Sequence, residues 1–381
     1  MTLSRRKTLA LLGGGIILAA TGATAYGVTR MPKSAYAPWA AAGGYSDPRM
    51  HALSYAILAP NPHNRQPWQV DLRVPGEVTL RVDTDRLLPH TDPFNRQICI
   101  GLGCFLEMMV LAAAERGYGI DLDLFPDGSD PTALDQRRVA VARFAQGSAS
   151  SEPDLFAHVM QRRSLKEPFD VTRMVDQATL DAVLAGARST QVAGSVDPNA
   201  IAQMREITHE ALRIEIETPH TYKESVDLFR IGSREVAANP DGIDFTGPMF
   251  EAMAITRTFT REIALDRESM AYQEGAKAVF ANVDTAMGHM WQVTPNNTRL
   301  DQISAGRDWL RLNLVATGLG LGMQPLSQGL QEYPEMAEVY DGLHARLAPG
   351  GGTVQMLARI GYGPEVGQSP RWPIESKIVN A

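Results

Sequence analysis

The sequence predicts an α+β protein built twice over, and three observations carry that expectation. Residues 68–74 and 78–84 alternate apolar and polar side chains across Pro75-Gly76, the pattern of a half-buried strand pair. Residues 97–116 form a helix that is apolar nearly all round, which places it inside the protein, and it stops at Gly117 and Gly119. A second apolar helix near residues 301–317 stops at Gly318 and Gly320, so the paired glycines recur in register 201 residues later. That recurrence points to an internal duplication in which each half supplies one central helix and a sheet. A coincidental glycine pair is the competing explanation.

The elements follow in order. Ser4, Arg5 and Arg6 precede the Gly-rich apolar run Thr8 to Ala25, which ends in the small-x-small pattern of Ala23, Thr24 and Ala25. This is the layout of a twin-arginine export signal. With four glycines and three threonines the run is weakly hydrophobic for a membrane span of ~20 apolar residues. Left uncleaved, it would serve as an N-terminal anchor. Residues 26–48 are rich in Ala, Pro and Gly without a period and read as a tether. A helix is expected over 51–58, and a strand over 353–362 leads into a Pro-rich tail. Between the halves, residues 212–290 read as a mostly helical insertion with a polar turn at Asn239, Pro240, Asp241 and Gly242, which suits either a lid or plain packing. The expected organisation is thus a signal (1–25), a linker (26–48), a first half (49–150) and a second half (151–381) holding the insertion.

The formal charge is −7, and removing residues 1–25 takes away Arg5, Arg6 and Lys7 and no acid. The mature chain is therefore more acidic still, which argues against nucleic acid as a partner. Cys99 and Cys104 are the two cysteines. Five positions apart on a helix they are separated by ~7.5 Å along the axis, beyond disulfide reach, and read as small core residues.

Several familiar chemistries are absent. There is no G-x-S-x-G elbow, and His209-Glu210 is followed by Arg213 where a zinc-protease helix needs its second His. The eight histidines show no metal spacing. Gly318, Gly320 and Gly322 alternate without a dinucleotide or phosphate-loop fingerprint.

Three segments carry more. In Ala59 to Trp68 (APNPHNRQPW), Pro60, Pro62 and Pro67 stiffen a loop presenting the amides of Asn64 and Gln66, which both donate and accept hydrogen bonds. Such amides suit the edge of a heteroaromatic ring; an ordinary Pro-rich loop is the plainer alternative. In Gln161 to Asp170 (QRRSLKEPFD), Arg162, Ser164 and Lys166 alternate onto one face of an extended turn, which suits a phosphate or a solvated basic surface. In Ser369 to Pro373 (SPRWP), Arg371 stands in a stiff tail.

Together these segments resemble the FMN-dependent nitroreductase family, with its R-x-S-x-K/R phosphate turn and its N-x-Q-P-W loop from the partner subunit. The resemblance extends to Gly318 and Gly320, Pro325-Leu326, the Arg359 to Gly363 strand end (RIGYG) and the Pro-Arg-x-Pro tail. It implies a nitroreductase-like fold, a mixed sheet flanked by helices, with the duplication imitating the family homodimer, and FMN as cofactor. By the same resemblance Arg162, Ser164 and Arg371 would hold the flavin phosphate and ribityl chain, and Lys166 would stand near the pyrimidine edge. Pro60, Asn61, Asn64 and Gln66 match the loop that contacts the ring, while Pro325 and Leu326 match the segment on its other side. Arg163 matches no charged family position and is read as facing solvent. Asn61, Pro62 and His63 stand where many family members have Ser after the loop's first Pro. No side chain is assigned a catalytic role and no metal is expected.

Family members carry the phosphate turn first and the N-x-Q-P-W loop later; here the order is reversed. One chain would then supply both parts of the site, act as a monomer and hold one flavin. The expected function is an exported FMN oxidoreductase reducing, or oxidising, a small aromatic or quinone-like substrate, with the translocase as a partner and an electron donor the sequence leaves open between a membrane quinol, a partner redox protein or another source. A flavin-storing protein with a lidded site and no turnover is the alternative.

Overall fold

The computed structural model describes residues 32–379, so the expected export signal lies outside the described residues. The first part is α1 (Lys33–Ala41), α2 (Pro48–Ala56), β1 (Trp68–Asp71), β2 (Glu77–Val82), α3 (Arg96–Ala114), β3 (Tyr118–Leu124) and β4 (Arg138–Gln146). The chain continues through α4 (Pro153–Phe156), α5 (Gln177–Leu184) and β5 (Gln191–Ser195). Next come α6 (Pro198–Glu217), α7 (Pro219–Asp227), β6 (Phe229–Ile231), α8 (Ser233–Ala238), β7 (Ile243–Phe245), α9 (Pro248–Thr256), α10 (Arg261–Leu265) and α11 (Met270–Asp284). It closes with β8 (Gly288–Thr294), α12 (Arg299–Gly318), β9 (Gly322–Pro325), α13 (Ala337–Leu347) and β10 (Thr353–Gly361).

The architecture is α+β, with two four-stranded sheets ordered β1-β2-β4-β3 and β5-β8-β10-β9. Both orders follow one scheme, and in each a long helix joins the second strand in sequence to the third: α3 before β3, α12 before β9. Every strand pair within the two sheets is antiparallel. The mixed sheet expected from the resemblance is thus reduced to one parallel bridge, Val70 with Ile378 of the tail, on the outer side of the first sheet. A small parallel pair, β6 with β7, belongs to the insertion.

The strand pair β1–β2 buries Trp68, Val70, Val78, Leu80 and Val82 in alternation, as its sequence period requires. Each such side chain contributes roughly 1.5–3 kcal/mol of burial. Helix α3 is long and apolar enough to cross a membrane, but it is enclosed by the protein on nearly every side, as expected of a core helix. Its start is held by Asp92, whose carboxylate accepts from the Gln97 and Ile98 N–H groups at 3.0 and 2.8 Å. Helix α12 starts with a capping box between Thr298 and Asp301.

The two central helices meet backbone to backbone. A Cβ added at Gly103 would run into the Ile303 carbonyl, and one added at Gly306 would run into the Ile100 carbonyl. Cys99 and Cys104 are both buried free thiols at this contact, as expected, and Cys104 Sγ donates to the Gly306 carbonyl at 3.1 Å. One turn on, buried Glu107 accepts from Arg307 at 2.7 Å and Arg311 at 2.9 Å.

Two expectations are corrected. Within the supposed linker, residues Lys33–Ala41 form a helix that buries Ala35, Pro38 and Trp39; nine residues with an internal proline are too few to display a period. The insertion begins earlier than residue 212. Where Leu72–Gly76 make a short turn between β1 and β2, residues 196–287 connect β5 to β8, and α6 already starts at Pro198, behind an Asp197 N-cap.

Candidate functional site

The loop after α2 is backbone-strained. His63, Asn64 and Gln66 all have left-handed φ values, 48°, 51° and 50°. Asn tolerates this region; for His and Gln each such residue costs on the order of 1 kcal/mol. The surroundings over-determine the loop. Asn61 Oδ1 accepts from the Gln66 N–H at 2.7 Å, and the Asn61 amide donates to the Ala59 carbonyl at 3.1 Å. Gln66 is fully buried, its Nε2 donating to the Pro240 carbonyl at 2.7 Å and its Oε1 accepting from the Trp372 N–H at 2.9 Å. Asn64 donates to the Pro370 carbonyl at 3.1 Å and accepts from Arg371 Nη1 at 2.7 Å. Both amides are therefore spent on protein partners, and what the loop offers a ligand is its backbone and the shape fixed by Pro60, Asn61 and Pro62.

The tail supplies the second part. Arg371 donates to the carbonyls of Ile57, Leu58, Ala59 and Pro370 and to Asn64, which occupies the full set of guanidinium donors. It closes the end of α2 and contributes to the site through its charge. Lys377, also buried, donates to the Gln66 carbonyl at 2.9 Å.

Arg162 completes the assembly from the other half. It is buried, its Nη2 donates to the same Leu58 carbonyl at 3.3 Å, and its Nε and Nη1 have no partner. Burial pulls the Arg162 guanidinium down to about 10; burial and then the Arg162 charge pull Arg371 down to about 9. Two adjacent buried cations without a salt bridge among the described residues are costly unless an anion joins them.

Arg163 departs from expectation. It does not simply face solvent: it is half-buried, it donates to the Met160 and Arg162 carbonyls, and it stacks over Trp39. Ser164 is half-buried beside it. The turn is anchored on the second sheet by the Leu165 N–H, which donates to the Met323 carbonyl at 3.0 Å. That bond brings the turn to β9, where Pro325 pairs with Ala358 and buried Leu326 donates its N–H to the Leu357 carbonyl.

Lys166 is exposed, with its carbonyl accepting from Asn282 at 3.0 Å. Its charge reaches both His63 and Glu215, linking the turn, the loop and helix α6. Burial, then Lys166 and Arg65, push His63 down to about 3, so its imidazole is neutral; Nε2 lies 2.9 Å from Ser225 Oγ on α7.

The insertion is docked over this loop. Asp241 takes Arg86 at 2.5 Å, Arg230 at 2.6 Å and the Trp372 indole at 2.9 Å. Glu224 accepts from the His90 and Thr91 N–H groups and the Thr91 hydroxyl. The Gly242 N–H donates to the Asn64 carbonyl at 3.3 Å.

Sequence reasoning did not find Trp39, Lys377, Glu215 or Asp241 as parts of this region. Asp241 stood in the polar turn already noticed; the other three carry no local motif.

The arrangement joins a strained loop, a tail arginine and a cationic turn, and relatives exist along most of the chain. No family model matches it. It is 24% identical over 356 residues to "Putative NAD(P)H nitroreductase Rv3131" of Mycobacterium tuberculosis, covering 85% of this chain and 91% of that protein. It is 26% identical over 333 residues to "Putative NAD(P)H nitroreductase acg" of the same organism, covering 85% and 93%. The chain is nitroreductase-like in sequence. Among solved structures, similarity is found to the FMN-dependent nitroreductase NfnB from Mycobacterium smegmatis, in complex with NADPH, at 19% identity and a TM-score of 0.37, covering 58% of this chain and 96% of that one. A nitroreductase described as putative from Anabaena variabilis gives 12% identity and a TM-score of 0.39, covering 81% and 82%.

Proposed function

We propose that this nitroreductase-like chain is an exported FMN-dependent oxidoreductase that reduces a small aromatic or quinone-like substrate. The observation that carries the reading is Arg162, a buried guanidinium whose Nε and Nη1 lack partners, held beside Arg371. A phosphate monoester supplies the anionic acceptor that this pair lacks. The residues fit FMN in that respect: Arg162 and Ser164 would hold the phosphate and ribityl chain with Arg371 adding charge, Lys166 would stand by the pyrimidine edge, and Pro60, Asn61, Asn64 and Gln66 would shape the wall facing the ring, opposite Pro325 and Leu326. When bound, the flavin supplies two-electron redox chemistry at N5.

The chain's own residues prepare that chemistry. Were FMN held there, the Lys166 charge would favour its reduced form. His63 is held neutral, with its Nε2 2.9 Å from Ser225 Oγ of the docked insertion. The shared strand order of the two sheets and the Gly103–Gly306 crossing support a duplication in which one chain supplies both parts of a single site, acting as a monomer. The Ser4, Arg5, Arg6 segment supports export of the folded holoprotein by the twin-arginine translocase. The donor we propose is a quinol or redox protein of the exported compartment.

The insertion's hold on the loop at Ser225, Pro240 and Gly242, backed by the Asp241 and Glu224 contacts to Arg86 and Thr91, favours a second reading, flavin storage without turnover. Anaerobic absorbance of the purified protein tests both. Flavin colour that bleaches with reductant and returns with a nitroaromatic or quinone is the expected result. Return with oxygen alone supports storage, and a colourless protein that takes up no added FMN overturns both.

A further inference from the structure

Helix α1 ends on the cationic corner of the site. The Trp39 ring is 3% exposed, and its Nε1 donates to the Ser369 carbonyl at 2.8 Å. The Arg163 guanidinium carbon lies 4.8 Å from the ring centroid and that of Arg371 lies 5.8 Å from it. The Ala35 carbonyl accepts from the Arg371 N–H at 2.8 Å. Helix α1 also packs on α8 of the insertion and on α2, so it spans from core to insertion.

Three guanidinium groups therefore meet here, those of Arg162, Arg163 and Arg371, and none is in a salt bridge among the described residues. Arg163 Nε, like Arg162 Nε and Nη1, is buried without a partner. The carboxylate whose charge reaches Arg371 is that of Asp244. An aromatic face offsets part of the repulsion between neighbouring cations. It does not neutralise them, so the corner retains a positive excess suited to a dianion.

We propose that Trp39 and Arg163 are binding residues of this anion site: α1 walls the phosphate end, and its indole holds the Arg163 guanidinium beside the Arg371 charge, so that Arg163 receives a phosphate monoester dianion and slows its escape. This rests on the FMN reading above, and it gives α1 and Arg163, which the family resemblance leaves without a role, a share in cofactor retention. A chain that leaves the cytoplasm has no cytoplasmic FMN to rebind, so slow release is the property such a wall would supply.

The test is the rate of FMN release from the full-length holoprotein into an apoflavoprotein trap, beside riboflavin release and unfolding midpoints. For Trp39→Ala and Arg163→Gln the FMN release rate should rise on the order of tenfold, the change that loss of one desolvated cation–π or charged contact brings. Trp39→Phe should recover part of it. Riboflavin, which lacks the phosphate, should leave wild type and Arg163→Gln at the same rate. Unchanged FMN release in both Trp39→Ala and Arg163→Gln overturns the inference with the FMN reading intact. So does equal acceleration of riboflavin in Arg163→Gln, which marks a loosened fold. Should Trp39→Ala fail to fold, Arg163→Gln decides alone. Inorganic phosphate that raises the unfolding midpoint as much as FMN assigns the corner to free phosphate and overturns the inference. Wild type that binds no FMN overturns the functional reading itself.

Discussion

The backbone N–H of Trp372 donates to Gln66 Oε1 at 2.9 Å, across a sequence separation of 306 residues. The same amide donates from Nε2 to the Pro240 carbonyl. One fully buried side chain thus ties loop, tail and insertion together. Gln66→Ala leaves two buried backbone groups unpaired, each worth about 1–3 kcal/mol. Denaturant unfolding should show a loss of roughly 2–5 kcal/mol, and a loss below 1 kcal/mol would show that the three segments are not coupled through this residue.

Asp241 is the electrostatic latch of the insertion. Burial works against its ionisation, but Arg86, Trp372 and Arg230 outweigh it and hold its pKa below the usual carboxylate value. Its contribution is present above the unfolded value near 3.8 and is lost as pH falls through the lower folded one. At neutral pH Asp241→Asn should cost about 3–5 kcal/mol through the uncompensated arginines. Amide exchange at Asp241 and Gly242 should accelerate more than in β10; uniform acceleration would mean that the insertion is not a separable layer.

Glu215 gives the opposite pH sign. Burial pushes its carboxyl up to about 7, against hydrogen bonds from Gln331 and Gln328; the Glu224 charge adds to the rise and the Lys166 charge opposes it. Its protonated form is favoured in the fold, so its contribution is full below about 4.5 and lost as pH rises through about 7. In Glu215→Gln the fall in unfolding midpoint between pH 5 and pH 8 should be smaller than in wild type. Parallel pH profiles would refute this.

The helix crossing admits no side chain. Gly306→Ala places a methyl group against the Ile100 carbonyl, a backbone atom that cannot rotate away. A cost of about 1–3 kcal/mol or more is expected by calorimetry. Gly275→Ala, at a helical site with nothing near its Cβ, should be neutral or stabilising.

Under the proposed function, Lys166→Ala should lower the midpoint potential of bound flavin, because a nearby cation favours the reduced anionic ring. Potentiometric titration of the holoprotein measures it; an unchanged potential would remove Lys166 from that role.

What was legible in the sequence was what repeats locally. The core helix expected over 97–116 is observed over Arg96–Ala114 because its all-round apolarity is a local property, and the helix expected over 301–317 is observed over Arg299–Gly318 because its apolar positions run unbroken to a glycine stop. The β1–β2 alternation was legible for the same reason. Helix α1 was not, since it folds through contacts at Ser369 and Arg371 rather than through its own pattern. The start of α6 was signalled by Asp197 and Pro198, a capping pair that the charged face of the helix obscured. At the site, motifs located Arg162, Asn64, Gln66 and Arg371, but which of their donors are free is a tertiary matter. Gln66 and Arg371 look like ligand-facing groups in sequence and are occupied by the protein, while Arg163 looks like surface and stacks on Trp39.

The tail's clasp on the loop sets an order of events in biosynthesis. Ile57, Leu58, Ala59 and Gln66 wait for Arg371, Trp372 and Lys377, more than 300 positions downstream. At roughly 5–20 residues per second of synthesis, the loop stays without its clasp for some fifteen seconds or longer after it emerges. Under the proposed function, cofactor capture would then be among the last steps in making the molecule, and a chain interrupted before Arg371 would leave the loop without its clasp.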